Sequence, residues 1–511
     1  MPLKIAMIGA GSVGFTRALM RDVLAVPELR DTRFALMDIS ERNLNMVVQL
    51  MEREVRANHL PATIEPTLNR REAIADADYV ICTIRQGGLD AFATDIDIPL
   101  KYGVDQCVGD TLCAGGLMYA QRTIPELLGI CADIRAAARP GALFLNYSNP
   151  MAMNTWACNK YGGVRTIGLC HGVQHGHGQI AECIQHWARA EGRIGPDERV
   201  TRDDVDIICA GINHQTWYIQ VQWRGLDMVP RLLELFEAHP KYSVTEKVRI
   251  DVIRRFGYFS TESNGHLSEY LPWYRKRPDE IPQWVDLSEW INGETGGYLR
   301  VCTEDRRWFE TDFPNWLQEE PRIYSPDHRS VEHASHIIES LATGRTYRGH
   351  FNIVNQGHIR NLPNGCVIEI PGYVDKNGIN MTVVGDLPMA CAATCAASIR
   401  VQEMGMEAAV HGDVTLLKQA MLHDPLVGAV CSPEEVWQMA DEMLVAQAQW
   451  LPQYAAAIEP ARARLAAHAA NGTRVGLSEW QGAARLHLRS VEEMAVDVET
   501  ARAKAKTHDK G

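Results

Sequence analysis

The sequence predicts an α/β protein in which a doubly wound parallel sheet is followed by a second, α+β domain. Up to residue 211, short apolar runs alternate with segments of helical periodicity. Apolar strands that alternate with helices are typical of a parallel sheet covered by helices on both faces. Beyond residue 212, Trp and Tyr become frequent, and helical segments mix with strand-like ones such as CVIEIPGYVD. The strand-like runs of the first part lie at 4–9, 33–38, 78–84, 142–147, 165–170 and 205–211.

These patterns divide the 511 residues into three predicted segments, 1–211, 212–455 and 456–511. No Gly/Ser-rich linker separates the first two segments, so we expect the doubly wound domain and the α+β domain to share an extensive interface. The last segment is rich in Ala and Arg and then becomes highly polar. We expect it to form a helical C-terminal extension with a frayed end.

Composition and charge restrict the classes of partner. The net charge is −13, and an acidic chain without basic clusters argues against nucleic acid and anionic membranes as partners. No uncharged apolar run is long enough to cross a bilayer. The 13 cysteines are scattered, and Cys391 and Cys395 lie in an Ala-rich helical segment that indicates core. We expect free thiols and a cytoplasmic location, because the cytosol keeps thiols reduced.

A glycine-rich turn follows the first strand-like run and opens a helical segment. The sequence GAGSVG places Gly9, Gly11 and Gly14 in the G-x-G-x-x-G pattern, with Ser12 inside it. Such a turn lets the backbone approach a pyrophosphate at a helix N-terminus, as in Rossmann-type domains. Asp38 closes the second run, where a carboxylate suits the free ribose hydroxyls of NAD and repels the 2′-phosphate of NADP. The alternative is a merely tight strand–helix turn.

Polar residues follow three of the later runs. Asn149 comes after the fourth, Cys170 and His171 end the fifth, and Asn213 and His214 follow the sixth. Because ligands bind beyond the carboxyl ends of parallel strands, we expect these side chains to share one crevice. A thiolate with an imidazole is a ligand pair for a borderline divalent metal, and two protein ligands leave positions open for a substrate. The alternative is a buried cysteine and a capped loop histidine.

Two further polar segments stand out. HGVQHGHG, which adds His175 and His177, is interpreted as a flexible Gly/His loop rather than a metal site. The segment 256–274 combines aromatic residues with carboxylates, a composition found equally in sugar-binding sites and in ordinary interfaces. Its polar residues are Glu262, His266, Glu269 and Tyr270.

These motifs together resemble glycoside hydrolase family 4, over residues 4–455. The closest likeness is to the bacterial α-galactosidases of that family. The resemblance implies a fold like that of lactate and malate dehydrogenases, a requirement for NAD and a divalent metal, usually manganese, and a homo-oligomer, either a dimer or a tetramer. The similar stretches are IGAGS, ALMDI, DTLCAGG, RTIPEL, LNYSNPMAMNTWA, GLCHGVQ, CAGINH, GYFSTESNGHLSEYLPW, NLPNGCVIEI, VGDLP and DPLVGAV.

The resemblance also implies a redox-assisted elimination in place of two-carboxylate chemistry. The sugar is oxidised at carbon 3 by NAD, a base removes the acidified proton on carbon 2, and the metal stabilises the charge. The aglycone then leaves carbon 1 with acid help, water adds, and the hydride returns. No net oxidation results.

The resemblance also assigns site residues, because positions of this chain match those of the family's motifs. Cys170 and His214 match the metal ligands, and Asn149 matches a substrate contact; Asn213 and Glu262 are also assigned to substrate binding. His171 stands where phosphoglycosidases of the family carry Asp, so it is the candidate acid or a contact to a substrate hydroxyl. The candidate bases, in order, are His266, Tyr270 and Glu262.

The sequence leaves several functions open. The first hypothesis is hydrolysis of α-galactosides, and α-glucosides, α-glucuronides, α-galacturonides or glycosides of a rarer hexose are alternatives within the family. A hypothesis from another enzyme class is an NAD-dependent sugar dehydrogenase with net redox turnover. A third is a catalytically silent NAD-binding sensor.

Overall fold

One mixed sheet of twelve strands lies at the centre of the computed structural model, which describes residues 2–287, 292–476, 482 and 485–497. Neighbouring strands follow the order β3-β2-β1-β4-β5-β6-β10-β11-β7-β8-β9, and β12 pairs with β11. The strands are β1 (Lys4–Ile8), β2 (Arg33–Met37), β3 (Thr63–Thr67), β4 (Tyr79–Cys82), β5 (Leu143–Asn146), β6 (Thr166–Gly168), β7 (Val205–Ile212), β8 (Gln215–Trp223), β9 (Leu226–Asp227), β10 (Tyr347–Val354), β11 (Val367–Asp375) and β12 (Gly378–Met381).

Helices cover this sheet and extend beyond its second half. They are α1 (Val13–Leu24), α2 (Glu41–Ala57), α3 (Arg70–Ile74), α4 (Gly88–Leu100), α5 (Cys113–Ala137), α6 (Met151–Lys160), α7 (Gly172–Ala190), α8 (Leu232–Ala238), α9 (Tyr242–Thr245), α10 (Lys247–Phe256), α11 (Asn264–Tyr270), α12 (Ile281–Trp284), α13 (Gly297–Trp316), α14 (His333–Thr343), α15 (Met389–His411), α16 (Val414–His423), α17 (Val427–Val430), α18 (Pro433–Ala446) and α19 (Ala455–Ala470).

The first half of the sheet confirms the doubly wound prediction. The six strands β1 to β6 lie side by side in the order β3-β2-β1-β4-β5-β6, and each neighbouring pair is parallel. The side chains of β1 are buried alternately in two separate hydrophobic clusters. Ile5 packs with α1 and α2 on one face, whereas Ala6 packs with α3 and α5 on the other. The sequence analysis missed β3. This strand is half-exposed and contains Pro66, which an edge strand tolerates because one of its sides has no ladder hydrogen bonds.

The second half of the sheet is antiparallel, which corrects one expectation. The run at 205–211 forms β7, but β7 is antiparallel to both β8 and β11. The physical reason is the two-residue turn between β7 and β8, because a parallel connection needs a crossover of a dozen residues or more. Strands β10 and β11 insert between β6 and β7, so the CVIEIPGYVD segment joins the sheet that the first part of the chain begins.

One hydrophobic cluster joins the two halves of the chain. It contains Leu117 from α5, Met153 from α6 and Ile399 from α15. A Cβ atom on Gly405 of α15 would lie 2.5 Å from a methyl group of Leu117, so this glycine permits the close approach of α15 to α5. Cys391 and Cys395 are fully buried in the same cluster, as their Ala-rich surroundings predict.

The prediction of a flexible loop at HGVQHGHG is wrong, because these residues form the first turns of α7. Helix propensity is low there, but tertiary packing compensates for it. A Cβ atom on Gly176 would lie 2.3 Å from the hydroxyl oxygen of Tyr218, so the glycine allows the helix to lie directly on β8. His177 Nε2 donates a hydrogen bond to the Val205 carbonyl at 2.7 Å.

The described part of the C-terminal segment contains two helical stretches. Helix α19 begins at Ala455, and residues 491–497 are also helical. The predicted frayed end, residues 498–511, lies outside the described residues. Among the helices that the structure describes, none has both the length and the apolar character that crossing a bilayer requires.

We expect Leu145→Ala to lower the free energy of unfolding by about 2–5 kcal/mol, because truncation in a closely packed core leaves a cavity. Leu145 lies in β5 and is 0% exposed. Val383→Ala is the control, since Val383 is 73% exposed and surface substitutions change stability by only about 0.5 kcal/mol. Denaturant-induced unfolding of both variants measures the difference, and equal stability would contradict the place of β5 in the core.

Candidate active site

The glycine-rich turn has the geometry of a dinucleotide cradle. Gly9 adopts φ +93°, and a Cβ atom there would lie 2.9 Å from the backbone of Thr83. A Cβ atom on Gly11 would lie 2.8 Å from the Asp38 carboxylate. Gly14 has no heavy atom within 4 Å of such a position, so the third glycine is not required by local packing. Two of the three glycines therefore keep the backbone open at the start of α1.

A cavity of 520 Å³ begins at this turn and runs along the carboxyl ends of β1, β2, β4 and β5. Asp38 lies at its edge, where its carboxylate accepts hydrogen bonds from the backbone N–H groups of Gly11 and Ser40, each at 2.8 Å. The side chain of Ser12 makes no capping bond to α1. The N-terminus of α1 therefore offers its N–H groups to an anion in the cavity. Asn149 also lines this cavity.

A compact cluster of three possible metal ligands lies beyond the ends of β6 and β7. Cys170 Sγ is 3.5 Å from His214 Nε2 and 3.4 Å from Glu262 Oε1, and His214 Nε2 is 3.8 Å from the same carboxylate oxygen. Ligand atoms bonded to one cation at about 2.0–2.3 Å lie about 3.3–3.8 Å apart in tetrahedral geometry. The donor set of sulfur, nitrogen and oxygen, at these separations, therefore fits one divalent cation.

Two of these ligands have unusual backbone conformations. His214 has φ +64° in the turn between β7 and β8, and Glu262 has φ +71° just before α11. A pair of threonines holds both segments together, because Thr261 N–H donates to the Thr216 carbonyl at 2.7 Å and the two hydroxyls lie 2.7 Å apart. Glu369 of β11 accepts from the Thr216 hydroxyl at 3.0 Å. Left-handed non-glycine residues persist only where their surroundings enforce them, and they concentrate at functional sites.

Hydrogen bonding sets the tautomer of His214. The Thr111 hydroxyl donates to Asp110 Oδ1 at 2.8 Å and lies 2.7 Å from His214 Nδ1. Because its single proton goes to Asp110, Thr111 accepts from the Nδ1–H group, and the lone pair of Nε2 faces Cys170 and Glu262. This arrangement of a ligand histidine and an outer hydrogen-bond acceptor is the usual one in metal sites.

Asp110 also connects the metal cluster to the cofactor cavity. Its Oδ2 atom accepts a hydrogen bond from Asn149 Nδ2 at 2.7 Å, and its Oδ1 atom accepts the bond from Thr111. Asp110, His214 and His266 form a second group whose potential ligand atoms lie within 4.8 Å of one another. The chain Asn149–Asp110–Thr111–His214 thus runs from one site to the other.

Buried charges hold the loop that carries Asp110. The Glu269 carboxylate accepts hydrogen bonds of 2.7–2.9 Å from the backbone N–H groups of residues 107–109. Burial raises the pKa of Glu269 to about 7, and the N–H donors oppose this shift. Asp105, just upstream, forms a buried ion pair with Arg275.

Burial and neighbouring charges set the protonation of the ligand carboxylate and the candidate bases. Burial favours a high pKa for Glu262, but the adjacent His214, His266 and His171 outweigh it and lower the pKa to about 2. Burial lowers the pKa of His266 to about 4, so its imidazole is neutral and able to accept a proton. Burial, followed by the charge of Asp110, raises the pKa of Tyr270 well above its usual range. Both rings lie against His214, with centroids 4.9 and 6.3 Å away.

His171 lies beside the cluster and is paired with a carboxylate. Its Nδ1 atom is 3.0 Å from Glu332 Oε1. Burial lowers the pKa of His171, but the hydrogen bond and charge of Glu332 outweigh it, so the pKa is raised. Asn213 is buried, and its amide group has no hydrogen-bond partner among the described residues. Its assignment to substrate binding remains a prediction.

The structure brings Cys170, His171 and His214 together as the sequence analysis expects, and it adds Glu262 as a third potential ligand. The residues that support them are not among the predicted site residues; they are Asp110, Thr111, Glu332 and Glu369. The DTLCAGG stretch contains Asp110 and Thr111 and was the available signal for these two. The NLPNGCVIEI stretch contains Glu369 and was the available signal for that residue, whereas Glu332 lies in a segment without such a motif.

Comparison with known proteins places the chain in a family. Residues 4–186 match the model described as family 4 glycosyl hydrolase, and residues 209–427 match that of the family 4 glycosyl hydrolase C-terminal domain. An α-galactosidase of Rhizobium meliloti (strain 1021) is 58% identical over 503 residues, which cover 98% of this chain and 99% of that protein.

Two solved structures share the fold. The Bacillus subtilis lplD protein aligns with a TM-score of 0.74 and 28% identity, over 87% of this chain and all of that one. A 6-phospho-β-glucosidase from Thermotoga maritima, solved with manganese, NAD+ and glucose-6-phosphate, aligns with a TM-score of 0.69 and 23% identity, over 88% of this chain and 99% of that one. The chain therefore belongs to family 4 of the glycosyl hydrolases and is a glycosidase.

Proposed function

We propose that this glycosidase hydrolyses α-galactosides with the help of NAD and one divalent cation, for which manganese is the first candidate. One observation carries the proposal. The Cys170–His214–Glu262 cluster is joined to the cavity at the glycine-rich turn by the hydrogen bonds from His214 through Thr111 and Asp110 to Asn149. A glycosidase that uses two carboxylates needs neither site. The Rhizobium meliloti α-galactosidase, at 58% identity, supports the choice of sugar.

The residues present define what each bound group would supply. Gly9, Gly11, Ser12 and Asp38 would hold NAD, which supplies a reversible hydride acceptor. Cys170, His214 and Glu262 would hold the cation, which supplies positive charge to stabilise negative charge that develops on sugar oxygens. The Cys170 thiolate and the ionised Glu262 carboxylate would offset much of that positive charge, and three protein ligands would leave room for the substrate.

The remaining site residues orient the sugar and move protons. Asn149 binds a sugar hydroxyl near the reacting carbons, and Asp110 holds the amide in place through the 2.7 Å hydrogen bond. His266 removes the proton from carbon 2, since its imidazole is neutral and Ser263 Oγ lies 2.8 Å from its Nδ1 atom. Tyr270 ranks second as the base, because burial keeps its hydroxyl protonated and a base must be deprotonated to accept a proton. His171 protonates the departing glycosidic oxygen.

We further propose that the protein works in the reducing cytoplasm. All 13 cysteines are free, and Cys170 supplies its thiolate only while it is reduced.

Burial raises the pKa of the Cys170 thiol well above its usual range. The thiol is therefore protonated without a cation, and cation binding must release that proton.

The first experiment measures nitrophenol release from a panel of α- and β-linked nitrophenyl glycosides, with NAD and manganese present and then omitted in turn. We expect α-galactoside hydrolysis that is lost without either addition, and no accumulation of NADH. Steady accumulation of NADH with sugar would instead support a dehydrogenase. Activity that persists after chelation and removal of the cofactor would contradict the proposed chemistry, and NAD binding without any product would support a sensor.

Replacement of Cys170 by Ser is expected to weaken manganese binding by at least about 100-fold, because the loss of a ligand exceeds the about 10–100-fold cost of losing an outer-shell partner. NAD affinity should not change. The control is Cys366→Ser, since Cys366 Sγ donates a hydrogen bond to the Pro363 carbonyl at 2.9 Å and a hydroxyl also forms that bond. Titration of free manganese by electron paramagnetic resonance measures the affinity, and an unchanged value would refute the ligand assignment.

Thr111→Val is expected to weaken manganese binding by about 10–100-fold, because it removes the hydroxyl that fixes the His214 tautomer. The matched control is Thr123→Val in α5, whose buried hydroxyl has no hydrogen-bond partner among the described residues. Calorimetric titration with manganese and with NAD separates the two sites. Equal manganese affinities of the two variants would show that Thr111 does not orient the ligand.

A further inference from the structure

A carboxylate from a distant part of the sequence contacts His171, the candidate acid. Glu332 Oε1 lies 3.0 Å from His171 Nδ1, although 161 positions separate the two residues. The Glu332 side chain is 12% exposed, whereas that of His171 is 37% exposed. The Glu332 carboxylate is therefore largely buried, whereas the His171 ring is partly accessible to solvent.

Several bonds fix the segment that carries Glu332. Its backbone N–H group donates to Ser330 Oγ at 3.2 Å, and the residue is the N-cap of α14. His333 Nε2 donates to the Cys170 carbonyl at 3.1 Å, directly before His171. The Ala334 N–H group donates to the Tyr147 hydroxyl at 3.0 Å, and Tyr147 also lines the cofactor cavity. The carboxylate is thus tied to the strand ends that carry the site.

The contact fixes which ring nitrogen of His171 can face a substrate. A carboxylate at Nδ1 requires an Nδ1–H donor, so Nε2 is the remaining ring atom. In the described part of the chain, His171 Nε2 has no hydrogen-bond partner. A histidine whose one nitrogen binds a carboxylate and whose other nitrogen is free has the arrangement that other hydrolases use for proton transfer.

We propose that Glu332 is the positioning residue for the acid step, and this proposal rests on the proposed glycosidase function. Glu332 holds the His171 ring so that Nε2–H points at the departing glycosidic oxygen. The electron pair left on carbon 2 forms a double bond to carbon 1 as the bond between carbon 1 and that oxygen breaks. The oxygen keeps the electron pair of the broken bond, and the Nε2 proton neutralises it. His171 is then a neutral imidazole whose Nδ1–H still donates to Glu332, until solvent returns the proton.

Two substrates that differ only in the leaving group test this role. Both carry the sugar that the nitrophenyl panel identifies, one with 2,4-dinitrophenol and one with methanol as the leaving group. Methanol is a poor leaving group without a proton, so we expect Glu332→Gln and His171→Gln to lower kcat/KM for the methyl glycoside by about 10²–10⁴-fold. Dinitrophenolate leaves unprotonated, so the loss there should stay below about 10-fold.

His175→Gln is the matched control, because the His175 ring lies 4.7 Å from that of His171 and, within the described residues, forms no hydrogen bond with Glu332. We expect both of its kcat/KM values to match the wild type. The double variant of Glu332→Gln and His171→Gln should lose no more than His171→Gln alone, since the carboxylate acts through the histidine. NAD affinity of each variant checks that the fold is intact.

Three results would overturn the proposal. The first is an equal loss of kcat/KM on the methyl and the dinitrophenyl glycoside. The second is a double variant whose loss of kcat/KM equals the losses of the two single variants combined. The third is a Glu332→Gln variant with wild-type kcat/KM on the methyl glycoside. A sugar other than galactose in the panel would correct the proposed substrate and leave this test valid. If Glu332→Gln does not bind NAD, Glu332→Asp takes its place, and it should lose less on the methyl glycoside than His171→Gln does.

Discussion

The buried carboxylate of Glu269 is the interaction on which the site most depends. It accepts three backbone hydrogen bonds from residues 107–109, and so it joins α11 to the loop that carries Asp110 and Thr111. That loop fixes the tautomer of His214 and the amide of Asn149. A buried polar group is stable only where hydrogen bonds satisfy it, so Glu269 and the loop each require the other. The metal cluster and the cofactor cavity therefore keep one relative geometry.

The change from parallel to antiparallel pairing within one sheet makes this site possible. The parallel half delivers Cys170 and His171 at the end of β6, as an ordinary nucleotide-binding sheet does. The antiparallel half returns β7 to the same region, and its short turn to β8 presents His214 opposite Cys170. A βαβ crossover would have placed a helix where that turn lies. Two of the three ligands, Cys170 and His214, therefore follow strands of two kinds, which lie on either side of β10 and β11.

Electrostatics links the protonation of the Cys170 thiol to the binding of a cation by the cluster. The Cys170 thiol and the Glu262 carboxylate lie 3.4 Å apart in a buried position, and the carboxylate is one cause of the raised pKa of the thiol. Two anions at this distance are unfavourable unless a positive charge lies between them. A divalent cation bound by Cys170, His214 and Glu262 would supply that charge, and its binding would release the thiol proton. The protonation of the site and the presence of the cation are thus linked.

The sequence by itself determined the local features, namely the glycine turn with Asp38, the parallel strands and the residues at their ends. These follow from short-range pattern, because periodicity, turn residues and strand ends lie within a few positions of one another. Tertiary structure decided the direction of β7, the helical state of HGVQHGHG and the partners Asp110, Glu332 and Glu369. Each of these depends on packing or hydrogen bonds between distant segments, such as the 161 positions between His171 and Glu332, and no local pattern records such contacts. The third potential metal ligand, Glu262, was visible in the sequence, but only the fold brought it to 3.4 Å from Cys170.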